Sequence, residues 1–180
     1  MRQNLSKLFH SRLVRATGLL TLLAVSAGTV AWTKGPSARV QLGGAWVGVL
    51  DNGVRVTAIY GATDPSGLKS VYRGQFVWPS AMLAMMGVDS ITDLVADEVV
   101  TGPNTSESTG IAYGIAGGQI ALILVDHSWF THVSPTEKHN THETSVYLAS
   151  ADADNDGFPD ADAKPLAVIP AHSISKRIRQ

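Results

Sequence analysis

The chain has no cysteine. Disulfides, thiol catalysis and lipid attachment through a lipobox cysteine are therefore excluded. Charge is sparse, at 16% of residues, and basic residues hold no surplus: 14 Lys and Arg stand against 15 Asp and Glu. A surface that holds phosphates needs such a surplus, so nucleic acid is not an expected partner. The sequence also lacks a βαβ rhythm, an internal repeat, a Gly-x-Ser-x-Gly elbow, a Gly-rich phosphate loop and a paired-carboxylate signature. Ser66, Ser80 and Ser106 read as turn serines, and Asp93, Asp97 and Glu98 as a solvated strand face. A missing motif does not exclude an enzyme, because sites are assembled in space.

What is present is a globular composition, 44% hydrophobic, with 17 glycines and eight prolines to make turns. The first 31 residues read as a secretory signal. Arg2, Lys7, Arg12 and Arg15 form a basic leader, Ala16 to Ala24 an apolar run, and Val25-Ser26-Ala27 or Thr29-Val30-Ala31 a small-residue cleavage site after Ala27 or Ala31. An uncleaved anchor is the alternative, since Ala16 to Trp32 just reaches the length of a membrane span. Either way the domain is expected outside the cytoplasm, secreted or periplasmic. Cleavage after Ala27 removes four Lys/Arg and no acid, leaving 10 against 15 and a net charge of −5.

Residues 32–42 read as a linker broken by Lys34-Gly35-Pro36-Ser37, and residues 43–180 as one domain. Ala45 to Leu50 and Val54 to Tyr60 read as strands. Asn52-Gly53 between them predicts a two-residue hairpin turn with both residues at positive φ. Leu68 to Trp78 predicts a third strand with a bulge at Gly74, and Pro79-Ser80 opens a short helix over Ala81 to Met86 that Gly87 stops. Its methionines either plug the end of a β core or line a ligand pocket. Further strands follow at Leu94 to Thr101, Ser108 to Ile115, Gln119 to Phe130 and Thr144 to Ala149, with Gly117-Gly118 as a second hairpin turn. Val133 to Asn140 reads as a polar turn, Leu166 to Ile169 as a last short strand, and His172 to Gln180 as a basic tail. The fold class is all-β: an antiparallel meander of about eight strands, a barrel or a sandwich, with one short helix and an N-terminal signal helix.

Gly44-Ala45-Trp46 resembles the Gly-x-Trp opening of lipocalins and related calycin barrels. The resemblance implies barrel topology, and it assigns Arg177 to the late arginine that packs on that tryptophan.

One stretch carries a specific chemistry. Asp152, Asp154 and Asp156, followed by Gly157, stand at positions 1, 3, 5 and 6 of a calcium loop, where alternate side chains turn their oxygens to one centre. The Phe158 carbonyl falls at position 7 and Asp160 at 9. Ala163 stands at 12, where an EF-hand has glutamate, and Asp162 lies one residue early. The run from Asp154 to Asp160 resembles the short calcium repeats of thrombospondin type 3 and dockerin-like modules. That implies structural calcium in a loop spanning 152–162, acting as a clamp rather than a catalytic centre.

His127, His132, His139 and His142 fall in one segment with Asp126, Glu137 and Glu143. Imidazole with carboxylate suits zinc or another transition metal, with His132, His139 and His142 as candidate ligands. The bland alternative is an exposed hairpin tip that happens to contain histidines. Three functions are carried forward. The first is an exported, calcium-stabilised, non-catalytic domain binding a small apolar ligand or an extracellular partner. The second is a metal-dependent hydrolase built on the histidine hairpin. The third is a surface protein anchored by its N-terminal segment.

Overall fold

A computed structural model describes Val40 and residues 42–178. The expected signal segment and most of the expected linker lie outside those residues. The described chain runs β1 (Ala45–Leu50), β2 (Arg55–Thr63), β3 (Lys69–Val77), α1 (Ser80–Met86), β4 (Ser90–Ile91), β5 (Leu94–Val100), β6 (Thr105–Ala116), β7 (Gln119–Ser134), β8 (Glu137–Leu148), a single 3-10 turn (Ala149–Ala151) and β9 (Ala167–Arg177).

Neighbouring strands pair antiparallel in the order β6-β5-β3-β2-β1-β9-β8-β7, and β7 returns to β6. Eight strands thus close into a barrel, with the two-residue β4 laid on the end of β6. Closure removes every long unpaired edge.

Alternation decides what the barrel holds. Leu94, Ala96, Ala112, Leu122, Leu124 and Val146 face inward toward one end and form an apolar core. Leu83 and Met86 of α1 pack against that core, and Met82 against the adjoining cluster of Leu50, Val54 and Ala171. The helix is a plug. Gly87, at φ 70°, ends it in a left-handed turn that other residues resist.

The opposite end opens with Trp46, 2% exposed, whose indole Nε1 donates to the Gly43 carbonyl at 3.0 Å. The Arg177 guanidinium lies over that ring, 5.9 Å from its centroid. Leu42, expected in the linker, is buried, and its carbonyl accepts a hydrogen bond from Thr63.

Several local expectations need correction. Gly117 and Gly118 both take positive φ as a tight hairpin requires, but in the first hairpin only Gly53 does. There the Asn52 side chain instead accepts from the Val54 N–H. Gly74 is not bulged: it pairs in register with Ala58 and Leu94. Its missing side chain leaves room for the Phe76 ring, which a Cβ would approach to 2.9 Å. Val133 to Asn140 is not a turn, since β7 runs to Ser134 and β8 begins at Glu137. The supposed tail is most of β9, the strand that joins β1 to β8 and closes the barrel.

Candidate functional site

The barrel lumen away from α1 is polar. Ser70, Glu98, Ser106, Ser108, Asp126, Ser128, Lys138, Asn140, His142, Ser173 and Ser175 are all buried. Two of these assignments overturn expectations. Glu98 is fully enclosed rather than on a solvated strand face, and Ser106 sits inside β6 rather than in a turn. Asp97 beside Glu98 is exposed, as alternation along β5 dictates, and Asp93, just before β5, pairs with Arg73 at 2.5 Å.

Glu98 is the hub of the first network. It accepts hydrogen bonds from the hydroxyls of Tyr60 and Ser106, and Lys138 Nζ lies 3.4 Å from Oε2. Lys138 also donates to the Tyr60 oxygen at 2.6 Å. Its ammonium sits over three aromatic faces: 4.0 Å from the Phe130 centroid, 4.9 Å from Tyr60 and 5.0 Å from Trp46. Burial alone would push the Glu98 carboxyl up. Contact with His132, the Lys138 charge and the two hydroxyls outweigh it and hold the group below its ordinary range. Burial, followed by the Glu98 charge, raises the Tyr60 phenol. Burial also pulls Lys138 below its ordinary value, although Glu98 opposes the shift.

The second network ends on Asp126. Ser128 donates to Oδ2 at 2.6 Å and Thr144 to Oδ1 at 2.8 Å. Ser128 Oγ also lies 2.7 Å from His142 Nδ1, and Ser173 Oγ lies 3.1 Å from His142 Nε2. A hydroxyl has one hydrogen. Ser128 gives its hydrogen to Asp126, so it must accept from His142 Nδ1–H. Ser173 accepts from Asn140 Nδ2 at 2.9 Å and is left to donate to Nε2. The bonds therefore run in one direction, from Asn140 through Ser173, His142 and Ser128 to Asp126. The same count makes His132 Nε2–H the donor to Ser106, 2.9 Å away. Burial pushes the Asp126 carboxyl up, but His142, Ser128 and Thr144 more than offset it.

The histidines thus divide. His132 and His142 point into the lumen and bind serines; His127 and His139 point outward, beside Thr109 and Glu137. Residues of even and odd number leave opposite faces of a strand, so the barrel wall separates the pairs. Among the described residues, the cluster with metal-ligand spacing contains none of them.

That cluster is Asp152, Asp154 and Asp156, whose carboxylate oxygens lie within 4.8 Å of one another. Ligands about 2.3–2.6 Å from a shared calcium ion have such separations, so these three residues fit the ion. Asp160 and Asp162 are not part of the cluster. The loop is held by its own backbone: Asp156 N–H and Gly157 N–H donate to the two Asp152 oxygens, and Phe158 N–H donates to Asp156. It also rests on the barrel. Tyr113 donates to the Gly157 carbonyl at 3.1 Å, and Ile123, outward on β7 between Tyr113 and Tyr147, is only 1% exposed.

A concavity of about 910 Å³ lies outside the barrel, on the face formed by β2, β1, β9, β8 and β7. Strand register builds it. One outward row reads Arg55, Val49, Ile174, His139, Thr131; the next carries His172, Thr141 and Trp129. Val47, Val49, Thr57, Thr131, Thr141 and Ile174 give the face short β-branched side chains, with the longer Arg55, Trp129, His139, His172 and Lys176 among them. Val47, Val49, Trp129 and Ile174 are exposed hydrophobics within it. Composition and hydropathy did not mark this groove, because its residues come from five strands.

No family model matches the chain, and no curated protein matches it. Among solved structures it is similar to "Structure of EF1p2_mFAP2b bound to DFHBI", with 16% identity over 79% of this chain and 98% of that one, at a TM-score of 0.47. Similarity at that level says nothing about what this chain binds.

Proposed function

We propose that this chain is an exported, non-catalytic binding domain that holds a small apolar ligand in the outer groove, with calcium clamping the loop 152–162. The observation that carries the reading is the groove itself. Small-molecule sites are concave, mostly apolar and furnished with a few polar groups, and this face has that composition. The barrel lumen offers the smaller space, an inner cavity of about 20 Å³. The hydrolase alternative gains nothing from histidines divided between two faces.

Trp129 supplies the readout. An apolar probe such as 1-anilinonaphthalene-8-sulfonate should bind saturably and change Trp129 emission. Val49→Glu with Ile174→Glu should abolish binding and leave the melting temperature unchanged. Undiminished binding by that double variant would place the ligand elsewhere.

A further inference from the structure

One small inner cavity has an unusual lining. Phe76, Ile91, Leu94, Ala112 and Leu124 make it apolar, while Asp126 and Thr144 bring a carboxylate and a hydroxyl to one side. Trp78 also lines it, and the Trp78 indole Nε1 is buried with no acceptor. Such a donor is costly to leave unmet. Asp126 has the complementary capacity. It accepts one bond on each oxygen, from Ser128 and Thr144, and a carboxylate has about four acceptor positions.

We propose that this chamber is a second binding site, selective for a hydroxyl group: the small alcohols and phenols. A hydroxyl is the group that satisfies both partners at once. Its oxygen accepts from Trp78 Nε1–H and its hydrogen goes to Asp126. At about 20 Å³ the cavity has the volume of one such group, or of one water in the resting protein. The carbon body of the ligand takes the space now filled by Leu83 and Met86, which pack on the same core from α1. That helix is fitted to yield: it has seven residues, none of them buried, and its N-terminus has no side-chain cap. An ammonium group cannot accept from Trp78, and a hydrocarbon can satisfy neither partner, so both should be rejected.

The test follows the Trp78 indole resonance in 15N-labelled protein, with the Trp46 and Trp129 indoles as controls, during titration with benzyl alcohol, toluene and benzylamine. Benzyl alcohol should shift Trp78 saturably. Benzylamine should bind about tenfold more weakly, the cost of one buried hydrogen bond made to a charged or otherwise orphaned group, and toluene, which loses two, about a hundredfold. Binding of benzyl alcohol by Trp78→Phe, measured calorimetrically, should weaken about tenfold; this variant keeps the ring and deletes only the donor. Asp126→Asn should weaken it similarly. Equal affinity for toluene would reduce the chamber to an apolar void, tighter benzylamine binding would make it a charge site, and an unmoved Trp78 signal would refute the proposal. Because the probes and variants differ from those of the outer groove, either reading can fail alone.

Discussion

Lys138 and Glu98 form an ion pair inside the barrel, with Nζ 3.4 Å from Oε2 and both side chains almost wholly shielded from solvent. Taking two charges out of water is costly, and their attraction repays it only when the remaining hydrogen-bonding groups are met. Here Tyr60, Ser106 and three aromatic faces meet them. Removing one partner leaves the other charge buried alone. Lys138→Met or Glu98→Gln should each cost about 3–5 kcal/mol, and the double variant should cost much less than their sum. Urea unfolding of the three variants measures this.

Acid should unfold the domain through its lumen. Glu98 and Asp126 both titrate below their ordinary values of 4.5 and 3.8. Depressed carboxyls bind fewer protons folded than unfolded. Their stabilisation is therefore complete above the unfolded pKa values and is lost as pH falls through the folded ones. The urea midpoint should hold steady from neutral pH to about pH 5 and fall steeply below pH 4. Asp126→Asn should flatten part of that fall.

Calcium should raise the melting temperature and EDTA should lower it. At a hundredfold excess over its dissociation constant, calcium contributes about 2.7 kcal/mol. For a domain of this size that is roughly 5–10 °C. Asp154→Asn with Asp156→Asn should remove the calcium response and leave the barrel folded. An identical scanning-calorimetry trace with and without calcium would dismiss the ion.

The loop's hold on the barrel can be tested separately. Gly157 has φ 93°, and a Cβ there would stand 2.9 Å from the Tyr113 hydroxyl. Gly157→Ala should destabilise by about 1–2 kcal/mol through backbone strain alone, and by more with the clash. Tyr113→Phe deletes only the bond to the Gly157 carbonyl and should cost about 1 kcal/mol. Hydrogen exchange should then speed up in residues 149–163 before it does in the strands.

Much of the architecture was readable because local chemistry is local. Gly117-Gly118 makes its turn wherever it stands, Gly87 ends α1, and the run from Ala45 to Leu50 is a strand with the bounds expected of it. Reading failed where the polarity of the lumen hid the pattern. Lys138, Asn140 and His142 on β8, and Ser173 and Ser175 on β9, are inward residues that look like surface residues. Polar-in alternation is indistinguishable from a loop when apolar-in alternation is the signal sought. For the same reason Glu98 looked solvated.

The sequence alone determined the absence of disulfides, the formal charge, the Gly117-Gly118 turn, the Gly87 stop and the convergent spacing of Asp152, Asp154 and Asp156. Short-range geometry fixes each of these. Tertiary structure alone decided that the meander closes as a barrel, because closure depends on β9 meeting β1 across more than a hundred residues. It also decided which histidines face inward, that Asp126 and Trp78 share a cavity, and that five outward strand faces join into one groove. Those are relations between strands, and strand register, set only when the whole sheet pairs, brings them about.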